Sequence, residues 1–192
     1  MMSESNIIEG CLNENKIHQS ELYKRYSGKM MAVCLRYSNS SMDAEDILQD
    51  GFIKVFDNIR KFRQEGSLEG WVRRIMVSTA LNKIRTNKIK FEDIGENGSH
   101  LIDSNPNIID ELNEKVLLNI ISKLPKGYKY VFNMFAIEGY SHREISTLLD
   151  IEESTSRSQY TRAKTMLSNI LIKKRIIEAP KEKFELLSVI QK

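Results

Sequence analysis

The chain has 192 residues, with 29 Lys+Arg against 26 Asp+Glu and 41% hydrophobic residues. That length holds one large domain or two small ones, and the apolar share excludes wholesale disorder. Three Pro and nine Gly are too few for a sandwich or barrel and favour long helices. A net charge of +3 names no partner, so the distribution of charge has to carry the argument.

Residues 1–19 are polar, with Glu4, Glu9 and Glu14, and read as a lead-in. They lack the basic start and apolar run of a secretory signal. No stretch approaches the ~20 apolar residues of a membrane span, so the chain reads as cytoplasmic with no membrane insertion. Cys11 and Cys34 lack CxxC spacing and suggest neither a disulfide framework nor a zinc site. Cys34 falls in an apolar stripe and reads as a small core hydrophobe.

Residues 20–38 show helical spacing through Leu22, Tyr26, Met30, Val33 and Tyr37, broken by Asn39, Ser40 and Ser41. A second helix is predicted from Asp43 to Ile59, with Leu48, Phe52, Val55, Phe56 and Ile59 on one face. Opposite them lie Asp43, Asp46 and Asp50, with Gln49 and Ile53 alongside. Neither His nor Cys accompanies these carboxylates and nothing in the sequence desolvates them, which argues against catalysis. A solvated acidic face accounts for them, while the stranded Ile53 points to a protein-binding surface.

After a connection over 62–69, a third helix is predicted from Leu68 to the high eighties, carrying Trp71, Ile75 and Ile84. From Trp71 to Lys90 it has no acidic residue, against Arg73, Arg74, Lys83, Arg85, Lys88 and Lys90. Arg74, Ser78, Asn82 and Arg85 share one face, which suits nucleic acid, with cations on phosphates and Ser or Asn near bases. Phe62, Gln64, Ser67 and Trp71 adjoin it. Trp71 reads first as core, and as the alternative an aromatic that stacks unpaired bases.

Residues 91–111 lose helical periodicity. Between Phe91 and Lys115 the charged residues Glu92, Asp93, Glu96, Asp103, Asp110, Glu111 and Glu114 are all acidic. Helices are then predicted at 112–122, 125–138, 142–149 and 154–172, and a short amphipathic turn beyond Ala179. The fold class is therefore all-α: two small helical domains, 20–90 and 112–175, joined by a flexible acidic linker, 91–111, with a tail over 176–192.

The second domain reads as a helix-turn-helix. Ser141 and Glu144 have the spacing of a capping box, and Asp150 is a residue type that tolerates the left-handed turn. In the last helix Tyr160, Ala163, Leu167 and Ile170 fall on one side; Ser154, Arg157, Ser158, Thr161, Arg162 and Thr165 fall on the other. A short-chained basic face fits a major groove, where Arg forks onto guanine. Ser154 to Ile177 contains no acid, whereas ordinary surface helices mix signs. Helix-turn-helix spacing alone leaves open a free-standing regulator whose first domain senses a ligand or dimerises. An enzyme built on the aspartates ranks far behind, because His18, His100 and His142 are scattered and no phosphate loop is present.

The ordered segments LYKRY (22–26), DAEDILQD (43–50), FRQEGS (62–67) and GWVRRI (70–75) resemble the promoter-melting domain of bacterial RNA polymerase sigma factors, specifically the extracytoplasmic-function (ECF) class of the sigma-70 family. LPKGY (124–128), IEGYSHREI (137–145) and STSRSQYTRA (154–163) are similar to that class's C-terminal domain. The resemblance implies a non-enzymatic initiation factor that recruits core RNA polymerase, through its clamp and flap regions, to promoter DNA. Asp46, Gln49, Asp50 and Ile53 would dock on the clamp. Phe62, Gln64, Ser67 and Trp71 would hold a flipped base of the single-stranded −10 element, with Arg74, Ser78, Asn82 and Arg85 along that strand. Ser154, Arg157, Ser158, Thr161 and Arg162 would read the −35 duplex. The acidic linker would thread the polymerase's RNA exit path, and an anti-sigma partner is left open. The chain departs from the family at Ser78, where members often carry Asn, at Asp150, in place of a frequent Gly, and at Thr161, where some carry a larger side chain. A −35 preference therefore does not transfer.

Overall fold

The computed structural model describes residues 2–91 and 114–173, with side chains over 2–86 and 117–173. The described residues form two helical units, divided within the intervening segment, and contain no strand. The acidic run and the turn beyond Ala179 lie outside the described residues. Among the described residues no helix is long and apolar enough to cross a membrane.

The first unit comprises α1 (Glu4–Leu12), α2 (Lys16–Tyr37), α3 (Ser41–Asn58), a 3-10 turn (Ile59–Lys61) and α4 (Leu68–Phe91). Polar side chains start each helix. Ser3 Oγ accepts from the Asn6 N–H, Asn15 Oδ1 from Ile17, Ser40 Oγ from Asp43 and Ser67 Oγ from Gly70, at 2.9–3.2 Å. Such caps contribute about 1 kcal/mol each. α2, α3 and α4 pack against one another around Leu22, Met30, Cys34, Ile47, Phe52, Val55, Val72, Met76 and Ala80, all at most 3% exposed. Gly51 lets α3 and α4 close up: a Cβ there would lie 2.2 Å from Met76 Sδ.

Two features depart from the sequence reading. The lead-in contains α1, whose Ile7, Ile8 and Cys11 are buried against α2. Tyr26 donates to Glu4 Oε2 at 2.7 Å, Arg25 to the Met2 carbonyl at 2.7 Å, and Arg60 to the Leu12 carbonyl at 3.4 Å. An apolar stripe barely two turns long in a polar frame gives too little periodicity to assign. In α4 the buried stripe is Leu68, Val72, Met76, Val77, Ala80 and Leu81, whereas Trp71, Ile75 and Ile84 are only half-buried. The helix carries two apolar stripes, and spacing alone does not say which one meets the core.

The second unit comprises α5 (Glu114–Ser122), α6 (Lys126–Phe132), a π-helical segment (Asn133–Ile137), α7 (His142–Leu149) and α8 (Glu153–Lys173). α8 packs on α5, α6 and α7 around Ile120, Val131, Phe132, Met134, Ile145, Ala163 and Leu167. The helix predicted over 125–138 widens into the π segment and ends at Gly139, whose φ of 76° suits only glycine without strain. The Tyr140 N–H there bonds back to the Met134 carbonyl at 2.9 Å. The capping box is made, with Ser141 and Glu144 satisfying each other's backbone N–H. Asp150 ends α7 in the left-handed region, as its residue type allows.

Candidate nucleic-acid and polymerase interfaces

In the first unit the turn before α4 projects from a fixed base. Ile59 is buried, and the Phe62 N–H donates to its carbonyl at 3.1 Å. Gln64 takes a positive φ of 58°, turning the chain so that residues 63–67 are all exposed. Ser67 closes the turn as the α4 cap, its Oγ 3.1 Å from the Gly70 N–H. Phe62 and Trp71 meet across it with ring centroids 5.4 Å apart. Trp71 is therefore neither core nor isolated: it is half-buried, one of an aromatic pair at the mouth of the turn.

From this pair an arc of side chains runs along α4. At 100° per residue Trp71, Arg74, Ser78, Asn82 and Arg85 fall within one sector, and the last four are all exposed. The acid-free stretch is less uniformly cationic than it reads. Glu69 Oε2 takes Lys29 at 2.6 Å and Oε1 takes Arg73 at 3.2 Å, which holds the Glu69 carboxyl below its usual range. Lys83 is bound by Asp43 at 3.0 Å and Asp46 at 3.1 Å; these bonds outweigh burial and hold its ammonium above the ordinary value. Arg74 and Arg85 remain as exposed cations on the arc.

On α3 the structure brings Asp46, Gln49, Asp50 and Ile53 to one exposed face. Ile53 is 58% exposed and Met42, on the same side, 76%. Asp46 is not simply solvated, since Lys83 reaches it from α4.

In the second unit α8 turns Tyr160, Ala163, Leu167 and Leu171 inward, with Ile170 half-buried. Ser154, Arg157, Ser158, Thr161, Arg162 and Thr165 are exposed. Two arginines have intramolecular partners that sequence reading missed. Arg157 bonds Glu153, one turn earlier and just outside the acid-free run, and Arg162 reaches Tyr128 Oη on α6 at 3.4 Å. Ser158, Thr161 and Thr165 donate to carbonyls of Thr155, Arg157 and Thr161, leaving hydroxyl lone pairs outward. Also unforeseen, Ser156 is fully buried with its Oγ 2.9 Å from His142 Nδ1.

Family comparison connects these surfaces. Residues 22–89 match the model for sigma-70 region 2, and residues 114–167 match the model for sigma-70 region 4. The chain is 30% identical over 181 residues to the ECF RNA polymerase sigma-E factor of Haemophilus influenzae, spanning 88% of this chain and 95% of that one. The chain belongs to the ECF sigma factors.

As an ECF sigma factor it is a transcription initiation factor that acts with core RNA polymerase to direct promoter-specific transcription. It is also 30% identical over 158 residues to the ECF sigma factor SigE of Mycolicibacterium smegmatis, covering 80% of this chain and 61% of the relative. Its fold is similar to that of the sigma factor RpoE of Bartonella quintana, solved in complex with the anti-sigma factor NepR. The TM-score is 0.55 at 16% identity, over 79% of this chain and 95% of that one. The region 2 match spans α2 to α4, hence the α3 face, the 62–67 turn and the α4 arc. The region 4 match reaches Leu167 and takes in the outward face of α8.

Proposed function

We propose that this sigma factor divides promoter recognition between its units as follows. The α3 face of Asp46, Gln49, Asp50 and Ile53 docks on the clamp of core polymerase, with Ile53 as apolar anchor and the carboxylates setting register. The turn from Phe62 to Ser67 takes up an unstacked base of the −10 strand against Trp71. Arg74, Ser78, Asn82 and Arg85 follow that strand, and Ser154, Arg157, Ser158, Thr161 and Arg162 of α8 read the −35 duplex. The second unit meets the flap, and the acidic linker occupies the RNA exit path. The protein works in the cytoplasm, and an anti-sigma factor, the class of partner in the Bartonella quintana complex, belongs to the same reading.

The observation that carries it is the half-buried Phe62–Trp71 pair at the head of an exposed polar arc. Unstacking one base step costs a few kcal/mol, and stacking a base on an aromatic returns about 1–3 kcal/mol. One aromatic platform thus offsets roughly one step, and the arginines supply phosphate attraction along the rest. On α8, Arg157 and Arg162 exchange their weak surface partners for guanine or phosphate when DNA arrives; an exposed pair such as Arg157–Glu153 contributes ~1 kcal/mol or less and presents little barrier.

Reconstituted transcription tests this: purified chain, core polymerase and genomic fragments, with mapped 5′ ends. New promoter-specific starts are expected, with strand opening lost in Trp71→Ala. Absence of new starts with a cognate core would defeat the reading. A free-standing regulator would instead bind duplex operator tightly without polymerase.

A further inference from the structure

The contact between the two helices of the helix-turn-helix is unusual in its chemistry. His142 opens α7, and its Nδ1 lies 2.9 Å from Ser156 Oγ in the first turn of α8. Ser156 is completely buried. The His142 ring stacks on Phe135 of the π segment, centroids 4.2 Å apart and planes at 13°. Phe135 in turn meets Tyr160 of α8 at 4.5 Å, and Tyr160 lies 5.9 Å from His142. One side chain at the start of α7 therefore contacts the π segment and two successive turns of α8. Elsewhere the α7–α8 joint is formed by apolar packing around buried Ile145 and by the turn at Asp150, neither of which fixes rotation with a directional side-chain bond.

Geometry makes this contact consequential. Ser156 immediately precedes Arg157 and lies two residues before Ser158, so its attachment fixes both how far the start of α8 stands off α7 and how the helix is rotated. A dispersion contact tolerates sliding, whereas a hydrogen bond at 2.9 Å to a stacked ring is directional. A rotation that moved Ser156 off His142 would strand a buried hydroxyl, which a core does not tolerate without loss. A π-helical turn is itself uncommon and concentrates at functional positions; here it carries the ring on which the histidine stacks.

We infer that His142 is a positioning residue for promoter reading: through Ser156 it sets the rotation of α8 and so determines which bases Arg157, Ser158, Thr161 and Arg162 can discriminate. The inference rests on the proposal that α8 reads the −35 duplex. His142 touches no DNA in this scheme; it acts through the helix.

The test uses the full chain in reconstituted holoenzyme and a promoter found by the mapped-start experiment, varied one base at a time in its upstream element. Ser156→Thr and Ser156→Val place the same shape in the buried site and differ by one hydroxyl. Thr should preserve the base-preference profile. Val should lower discrimination between best and mismatched duplexes about fivefold, the ordinary worth of one hydrogen bond. His142→Ala should do the same, and His142→Ala with Ser156→Val should be no worse than either alone, because both remove one interaction. Core-polymerase affinity, read on the same preparations, should not change. The inference is overturned if Thr and Val behave alike, if the two losses add, or if affinity drops equally for every duplex with the profile intact. Should Arg157→Ala and Arg162→Ala also leave the profile untouched, the reading of α8 itself fails; if they alter it while the His142 and Ser156 variants do not, only this inference does.

Discussion

Single residues here act by fixing backbone or by holding charge. Asp150 accepts φ 55°, ψ 53° where a glycine would carry no Cβ penalty. Asp150→Gly should therefore leave the turn intact and raise stability by up to ~1 kcal/mol in urea denaturation, whereas Gly139→Ala, at φ 76°, should cost at least ~1 kcal/mol. The titration of His142 gives a sharper test. Burial pushes its imidazole below the ordinary 6.5 and Arg157 adds to this, while Glu153 opposes it. The folded state thus resists a proton that the unfolded chain takes up. The part of the second unit's stability that depends on His142 should be constant above pH 6.5 and decline as pH falls below it. Glu69 has the opposite character: Lys29 and Arg73 hold its carboxyl below 4.5, so its contribution to the first unit is present above pH 4.5 and disappears as pH falls through the lowered folded value. Amide exchange across a pH series, resolved by unit, should separate the two windows.

At the scale of elements, the helices are positioned by close approach as much as by apolar spacing. Gly51 and Met76 bring α3 close against α4, so the proposed docking face on α3 and the proposed DNA-reading arc on α4 share that contact. Gly51→Val should push the helices apart and destabilise the first unit by about 1–3 kcal/mol, the usual cost of overpacking. Promoter opening and core binding should weaken together in that variant. The α1 helix is held through fully buried Ile7, and Ile7→Ala should cost ~2–5 kcal/mol in denaturant unfolding. An unchanged unfolding midpoint would mean that α1 does not support the unit.

Across the whole molecule, the near-balance of charge conceals segregation followed by partial pairing. Helices α4 and α8 concentrate cations, yet Arg73, Lys83 and Arg157 are matched by Glu69, by Asp43 and Asp46, and by Glu153. In the proposed reading the exposed Arg74 and Arg85 meet phosphate. The salt dependence of promoter binding by holoenzyme should follow this division. Arg74→Ala and Arg85→Ala should each lower the log–log slope by about 1. Lys83→Ala should leave the slope nearly unchanged, since its ammonium is engaged by two carboxylates; an equal drop for Lys83 would contradict the pairing.

What could be read from the sequence alone was periodic or local. The α2 stripe from Leu22 to Tyr37, the Ser141–Glu144 capping box and the outward face of α8 all follow from residue types at fixed spacing, and the structure reproduces them. The ordered motifs carried the family as well, because they depend on sequence order and not on contacts. Tertiary structure decided the rest: which of two stripes on α4 faces the core, that residues 4–12 form a helix on α2, that Trp71 pairs with Phe62, and which cations are already matched. Arg73–Glu69 and Arg157–Glu153 are one helical turn apart and were open to reading by spacing, but other partners lie far apart in the chain. Lys83 and Asp46 are 37 residues apart, and His142 and Ser156 are 14 apart, on different helices. A helical repeat reports the angle of a side chain about its own axis. Only packing brings a second axis alongside and determines what that side chain meets.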